Sequence, residues 1–337
     1  MVGKVFFASL TRIAKLEGGA FETCVLDRAS WEVGDYVVGN VDEPPPGFRK
    51  IELTSGRIVE LIEGDSVVGA FGVRHATLEA TGSFEAIGDD GRMAALTAAG
   101  LFGAVTSRSQ LIPELLPLRY GGHLMAAGRK LRMRDFAVTS GEADFDCPTV
   151  LIIGTSMSAG KTTTAKTVIR CFKDMRRRVV GAKLTGAGRY RDILGMSDAG
   201  ADAIFDFVDA GLPSSIGPPE AFRPRLRGLL GRIAAAQPDV VVVEAGASPF
   251  EPYNGDTVMA ELGDRVRLTI LCASDPYAVV GVMQGFDSKP DLVAGIATAT
   301  TAGIELSEKL THIRSLNLLD PTSHSELKRL LQEKFGD

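Results

Sequence analysis

One stretch decides the fold of the second half of the chain: Gly154-Thr155-Ser156-Met157-Ser158-Ala159-Gly160-Lys161-Thr162-Thr163. It follows a buried apolar run at 149–153 and leads into a segment with helical spacing at 161–178. A glycine-bearing turn between a strand and a helix lets backbone N–H groups converge on phosphate oxygens, and the helix N-terminus adds partial positive charge. The stretch therefore predicts a phosphate-binding turn. Gly-Lys-Thr also occurs by chance at helix starts, but the flanking strand and amphipathic helix favour the functional interpretation.

The side chains of this turn have separate expected tasks. Lys161 is expected to reach the β- and γ-phosphates of a nucleotide, and the hydroxyl of Thr162 to bind Mg²⁺. ATP and Mg²⁺ are thus the expected cofactors. The expected nucleotide-binding residues are Gly154, Thr155, Ser158, Ala159, Gly160, Lys161, Thr162 and Thr163.

The hydrophobic pattern changes character near residue 139. Before it, short runs separated by turns indicate a mostly antiparallel small barrel or sandwich. After it, continuous apolar runs such as 240–243 are typical of parallel strands covered on both faces. We therefore predict an α/β chain with a β-rich domain over 1–138, a linker over 139–148 and a parallel-sheet domain over 149–337. The strands expected in the first half are 5–10, 23–26, 36–41, 48–53, 57–62, 66–71, 76–84 and 100–107.

The glycine of the turn lies one position earlier than in the common G-x-x-x-x-G-K-[ST] motif. The resulting G-T-x-x-x-x-G-K-T resembles the loop of the dethiobiotin synthetase-like family, in the P-loop NTPase group that includes the cobyrinic acid amidases and MinD-type ATPases. The resemblance covers about residues 149–275 and implies a P-loop NTPase domain. Ser156 stands where MinD-type ATPases carry an early lysine, so their trans-acting lysine is absent.

Three positions outside the turn extend the resemblance. Lys183, in Gly-Ala-Lys, is similar to the family's Gly-Tyr-Lys-Pro lysine, which implies that it stabilises the transferring phosphoryl group; a surface lysine at a strand end is the alternative. Asp198, in Ser-Asp-Ala, is similar to the aspartate that helps to hold Mg²⁺. Glu244 ends a four-valine strand, where an acid is costly to bury without a metal or hydrogen bonds. The resemblance implies Lys161, Lys183 and Glu244 as catalytic residues, and Thr162, Asp198 and Glu244 as metal ligands.

The C-terminal part carries a second, weaker resemblance. Residues 289–311 are similar to a segment of a large, mostly uncharacterised bacterial P-loop family that includes proteins assigned to D-amino-acid N-acylation. That family begins with a Rossmann-like domain, whereas this chain begins with a β-rich one. An ordinary strand, glycine loop and helix is the alternative interpretation of the segment.

Composition excludes several classes of protein. The 37 Lys and Arg residues against 42 Asp and Glu give a net charge of −5, which disfavours nucleic-acid binding. No apolar run approaches the ~18 residues that span a bilayer, so we expect no membrane partner. The four cysteines are far apart, which indicates reduced thiols in a cytoplasmic protein rather than a metal or disulfide framework.

The sequence leaves three functions open. The first is an ATP- and Mg²⁺-dependent ligase or kinase that phosphorylates a carboxylate, carbamate or hydroxyl group of a small anionic substrate. The second is a regulatory or chaperone-type NTPase, and the third is an amino-acid N-acyltransferase. We also expect a homodimer, with the loop at 249–256 contacting either substrate or the second subunit.

Overall fold

A computed structural model describes residues 3–41, 50–138, 144–246, 248–286 and 289–336. The chain forms two compact units. The expected linker residues 139–143 lie outside the described residues, and the predicted boundary at 139–148 stays a prediction. Unit 1 consists of Met1–Thr139, Ala187–Arg191 and Phe207–Ile216, and unit 2 consists of Ser140–Gly186, Asp192–Asp206 and Gly217–Asp337.

Unit 1 is built from short strands, as the alternation of apolar runs and turns predicts. The strands are β1 Val5–Phe7, β2 Glu22–Cys24, β3 Tyr36–Val41, β4 Lys50–Glu52, β5 Ile58–Glu60, β6 Ser66–Phe71, β7 Val73–His75, β8 Ala80–Ser83, β9 Arg92–Thr97, β10 Leu101–Arg108, β11 Pro117–Ala126 and β12 Arg129–Lys130.

Five of these strands close into a ring. The pairs β6–β3, β3–β11, β11–β9 and β9–β10 are antiparallel, and the parallel pair β10–β6 completes the circle. Valine, leucine and phenylalanine side chains fill its core, Phe71 and Phe102 among them. The expected mostly antiparallel β-rich first half is confirmed.

The strands of unit 1 differ from the sequence pattern at several points. The strand predicted at 5–10 covers only Val5–Phe7, because Ser9–Thr11 form a 3₁₀ helix. The strand predicted at 76–84 is shorter than expected: only Ala80–Ser83 is a strand, and residues 76–79 form the turn that joins it to β7 in an antiparallel hairpin. The pattern also missed β9 and β11. β9 contains two alanines, which have low strand propensity, and β11 contains two glycines next to an irregularity in its pairing with β3, so both look like turns in the sequence.

Unit 2 alternates strands and helices. Its elements, with those that it shares with unit 1, are β13 Thr149–Gly154, α1 Lys161–Asp174, β14 Val179–Thr185, α2 Tyr190–Asp198, β15 Ala203–Asp206, α3 Pro219–Ala235, β16 Val240–Ala245, α4 Gly255–Leu262, β17 Val266–Ala273, α5 Pro276–Phe286, β18 Leu292–Gly295, α6 Thr301–Thr311 and α7 His324–Phe335.

All six strands of this sheet are parallel, in the order β15-β14-β16-β13-β17-β18. Every residue of β13, β14 and β16 is buried, which explains their continuous apolar character. The predicted parallel α/β fold of the second half is confirmed. No helix within the described ranges is both long and apolar enough to cross a membrane.

Candidate functional site: the loop after β13 and the carboxyl edge of the sheet

Two glycines shape the turn between β13 and α1. Gly160 has a φ of +102°, a left-handed conformation that favours glycine, and a Cβ there would lie 3.2 Å from the Cα of Gly295. A Cβ on Gly154 would lie 2.8 Å from the Nζ atom of Lys161. The first glycine thus lets the chain turn into the helix, and the second makes room for the lysine.

Lys161 is the first residue of α1 and is folded into its own loop. Its Nζ donates a 2.6 Å hydrogen bond to the backbone oxygen of Ser156, and the residue is only 3% exposed. Burial lowers the pKa of Lys161, and the nearby carboxylate of Glu244 opposes that shift. The ammonium is therefore stabilised by one carbonyl and one carboxylate, both of which a bound phosphate can replace or supplement.

Thr162 and Glu244 are in contact at the N-terminus of α1. The Thr162 hydroxyl donates a 2.9 Å hydrogen bond to Oε2 of Glu244, although the two residues are 82 positions apart. Glu244 lies near the carboxyl end of β16 and is 3% exposed. The structure thus brings together two of the residues that the sequence predicts as metal ligands.

Lys183 occupies the centre of a charged row across three strands. It is paired in register with Glu244 of β16 on one side and with Asp206 of β15 on the other. Its Nζ also contacts Oδ2 of Asp192, on α2, at 2.5 Å. Burial opposes the charged form, but the carboxylates of Asp192, Glu244 and Asp206 raise the pKa of Lys183. A buried, charged lysine at this edge is suited to bind a phosphoryl group.

Asp198 is placed differently from Asp192. It is exposed at the last residue of α2, six residues beyond Asp192, a distance of ~9 Å along a helix axis. Asp192, in contrast, forms the ion pair with Lys183 at the other end of α2. Metal binding by Asp198 stays a prediction.

The other residues of the turn differ in burial and in contacts. Thr155 is tied to the end of β17: its amide donates to the oxygen of Cys272 at 3.0 Å, and its hydroxyl accepts from the amide of Ser274 at 3.0 Å. Ser158 and Thr163 are exposed, and Ala159 is buried. Their expected role in nucleotide binding stays a prediction.

The sequence analysis gave no role in the site to three residues of this region; Asp192 and Asp206 could have been solvated helix charges, and the motif match favoured Asp198. Asp192 and Asp206 surround Lys183, and their sequence signal is only an acid near a strand or helix end. Gly295 ends β18 with a φ of +89°, and a Cβ there would lie 2.2 Å from the oxygen of Ala159. The sequence places Gly295 in the 289–311 segment, but only the folded chain shows that it contacts the 154–163 turn.

The oxygen atoms of Thr162 and Glu244 at the N-terminus of α1 are suitable ligands for Mg²⁺. A hydroxyl and a carboxylate are hard oxygen ligands, and Mg²⁺ usually keeps several waters and takes substrate phosphates as further ligands. Within the described residues, no group of three or more His, Cys, Asp and Glu side chains is placed to hold a metal ion. A hydroxyl and a carboxylate oxygen 2.9 Å apart, as in Thr162 and Glu244, fit a magnesium ion whose other ligands are water and phosphate.

The chain is similar to several solved structures. HypB from Helicobacter pylori, solved in complex with nickel, is 16% identical, over 56% of this chain and 87% of that one, with a TM-score of 0.38. The hydrogenase maturation factor HypB from Archaeoglobus fulgidus is 15% identical, over 56% and 91%, with a TM-score of 0.41. A ParA family ATPase from Chlorobium tepidum is 13% identical, over 56% and 97%, with a TM-score of 0.32.

No protein-family model and no curated protein matches the chain. Unit 2 itself has the parallel α/β topology of a P-loop fold, with a left-handed Gly160 in the turn between β13 and α1.

Proposed function

We propose that the chain binds Mg²⁺ and ATP at the 154–163 turn and transfers the γ-phosphoryl group to a small anionic substrate, as a ligase or kinase. The observation that carries the proposal is the 2.9 Å hydrogen bond between Thr162 and Glu244 beside a buried Lys161. Together these residues supply a hydroxyl and a carboxylate for a metal and a cation for phosphates.

The chain's own residues have three tasks in this proposal. Lys161 exchanges the Ser156 oxygen for the β- and γ-phosphates, which are stronger acceptors because they are charged. Thr162 and Glu244 would hold Mg²⁺, which would supply positive charge to neutralise the phosphates. Lys183 exchanges its ion pair with Asp192 for the phosphoryl group in transfer, so that its charge is used mainly in the transition state.

In this proposal the acceptor of the phosphoryl group is the substrate itself, and no covalent enzyme intermediate is needed. Phosphoryl transfer requires mainly positioning and neutralisation of charge, so a carboxylate, carbamate or hydroxyl of the substrate can attack directly.

We also propose that the chain forms a homodimer, in which the loop at 249–256 contacts either the second subunit or the substrate. Light scattering at several protein concentrations tests the dimer.

The test is substrate-dependent release of ADP. Purified protein is incubated with Mg²⁺, ATP and a panel of amino acids, hydroxy acids and short carboxylic acids, and ADP is measured together with the phosphorylated or ligated product. A ligase or kinase releases ADP in proportion to product. Lys183→Ala should abolish this turnover, while Arg170→Ala, an exposed basic residue near the far end of α1, should not. Product formation that requires acyl-CoA and no ATP contradicts the proposal and supports an N-acyltransferase.

A regulatory NTPase is the second candidate, and the ion pair between Lys183 and Asp192 favours it. Because Asp192 lies on α2, a phosphate that takes Lys183 away from Asp192 changes what holds this helix in place. Such coupling between a nucleotide and a helix is how switch proteins report their bound state. Slow ATP or GTP hydrolysis that no member of the substrate panel accelerates supports this candidate over the ligase or kinase.

A further inference from the structure

Unit 1 contains a cleft that the nucleotide chemistry does not use. Its volume is about 840 Å³, within the range of small-molecule sites. One wall is formed by the segment that follows β2 and contains Leu26 and Arg28, and the other by the segment that follows β8 and contains Phe84 and Asp89. Tyr120 of β11 also lines the cleft.

Aromatic rings form the apolar part of the cleft. The ring of Trp31 lies 4.6 Å from that of Tyr120, and Phe84 stacks at 5.6 Å on Phe71 of the core. The indole Nε1 donates a 3.1 Å hydrogen bond to the oxygen of Leu26, which fixes the orientation of the ring. Packed rings of this kind present π faces that attract cations.

The charged groups of the cleft are mainly acidic. Asp27, Glu85 and Asp89 line it together with a single cation, Arg28. The guanidinium of Arg28 lies 6.0 Å from the centre of the Trp31 ring and contacts Oδ1 of Asp89 at 3.1 Å. The protein therefore already holds one organic cation between an aromatic face and a carboxylate here. The surplus of two negative charges favours a second cation and repels anions.

A buried relay makes the hydroxyl of Tyr120 a hydrogen-bond acceptor. His123 contacts Oδ2 of Asp35 through Nε2 at 3.1 Å, and it contacts the Tyr120 hydroxyl through Nδ1 at 2.5 Å. Lys130 also contacts Asp35, at 2.8 Å. With Nε2–H donating to the carboxylate of Asp35, the Nδ1 atom of His123 is the acceptor, so Tyr120 donates its single hydrogen inward. The phenolic oxygen accepts from the amide of Leu26 at 3.3 Å and has a further lone pair for a donor.

We propose that this cleft binds a small organic ammonium ion. The ammonium lies against the faces of Trp31 and Tyr120, donates a hydrogen bond to the Tyr120 oxygen, and is neutralised by Glu85 and by Asp89, whose carboxylate it shares with Arg28. The hydrocarbon part of the ligand fills the apolar part of the cleft beside Phe84. An anion of the same shape is excluded by the carboxylates, and a neutral isostere loses the attraction of both rings and acids.

Tryptophan fluorescence measures binding directly, because Trp31 is the single tryptophan of the chain. The full-length protein is titrated with 2-phenylethylammonium, with the neutral 2-phenylethanol and with the anion 3-phenylpropionate. We expect a saturable change with the ammonium, at an affinity at least ten-fold higher than with either isostere. Equal affinities for all three, or no change in fluorescence with the ammonium, overturn the proposal.

Variants test separately the charge of the carboxylates and the hydrogen bond to Tyr120. The double variant Glu85→Gln/Asp89→Asn should weaken binding of the ammonium about five-fold, since each exposed charge contributes modestly. Glu60→Gln, an exposed acid on β5, is the matched control and should leave the affinity unchanged. Unchanged affinity in the double variant contradicts the role of the acids.

Tyr120→Phe tests the hydrogen bond. It should weaken 2-phenylethylammonium about five-fold and leave trimethyl(2-phenylethyl)ammonium, which has no N–H group, unaffected. Equal losses for the two cations contradict the assignment of Tyr120 as acceptor. Circular dichroism and a thermal melt establish that each variant is folded, and the three-ligand comparison on the unmodified protein needs no variant.

Discussion

The buried ammonium of Lys183 faces three carboxylates, those of Asp192, Glu244 and Asp206. Lys183→Ala leaves these charges without their cation, and removing one partner of a buried ion pair typically costs about 3 kcal/mol or more. We therefore expect the free energy of unfolding, measured in urea, to fall by about 3 kcal/mol. Asp192→Asn added to Lys183→Ala should restore part of the loss; full additivity of the two changes contradicts the pairing.

The same ion pair predicts a pH dependence of stability. The pKa of Lys183 is raised in the folded protein, so its contribution is fully present below the unfolded value of about 10.4 and is lost as pH rises through the folded pKa. The difference in unfolding free energy between the unmodified protein and Lys183→Ala should thus be constant from pH 8 to 9.5 and shrink above about pH 10.5. An equal difference at pH 8 and pH 11.5 contradicts a contribution from the charge.

The four cysteines should differ sharply in reactivity. Cys24 is exposed, whereas Cys147, Cys171 and Cys272 are buried. Burial raises the pKa of Cys147, and raises the pKa of Cys171 and of Cys272 to about 11, so few thiolates form at pH 8. An aromatic disulfide reagent should modify one thiol rapidly, and Cys24→Ser should remove that fast phase. Rapid modification of two or more thiols contradicts the burial of Cys147, Cys171 and Cys272.

At the scale of elements, the end of β18 supports the 154–163 turn. A Cβ on Gly295 would lie 2.2 Å from the Ala159 oxygen, in a backbone conformation at φ +89° that side chains disfavour. Gly295→Ala should therefore distort the turn and weaken nucleotide binding at least ten-fold, as measured by calorimetry. Gly281→Ala is the matched control: it lies in α5 with no atom within 4 Å of the new Cβ, and should leave binding unchanged. Equal nucleotide affinity of Gly295→Ala and the unmodified protein contradicts this support.

The same scale shows why part of the site could be predicted from the sequence. Lys161 and Thr162 belong to one contiguous motif, and Glu244 ends a strand so apolar that its acid stands out. Asp192 and Asp206 have no such local signal. They become neighbours of Lys183 through the order of β15, β14 and the start of α2, which only the folded chain reveals.

At the scale of the whole molecule, unit 1 includes two segments from the second half of the chain. Arg12 pairs with Asp209 at 3.2 Å, the amide of Arg191 donates to Glu52 at 3.1 Å, and Phe207 is 1% exposed. The change of hydrophobic pattern near residue 139 predicted the two fold classes, but it gave no sign of these segments, because short loops carry no periodicity. A division of the chain at the linker therefore matches the change in sequence pattern, but it leaves out the two later segments that belong to unit 1.

A fragment experiment follows from this arrangement. The polar linker sequence predicts that a protease cuts preferentially within 139–148. Because unit 1 takes residues from both sides of the cut, the two fragments should co-elute in native buffer and separate in 6 M urea. Expressed alone, residues 149–337 should be poorly soluble, since Phe207 and its buried neighbours lose their packing. Fragments that separate without denaturant, or a soluble 149–337 fragment, contradict the composition of unit 1.

Calorimetric titration with Mg-ATP and Mg-GTP tests the central proposal, nucleotide binding at the 154–163 turn, most directly. Lys161→Ala removes a charge-assisted contact worth about 1.5–3 kcal/mol, so the affinity for the preferred nucleotide should fall by about 10- to 150-fold. Arg170→Ala, on the same helix but exposed, should bind as the unmodified protein does. If Lys161→Ala binds both nucleotides as tightly as the unmodified protein, or if the unmodified protein binds neither, the turn is not a nucleotide site.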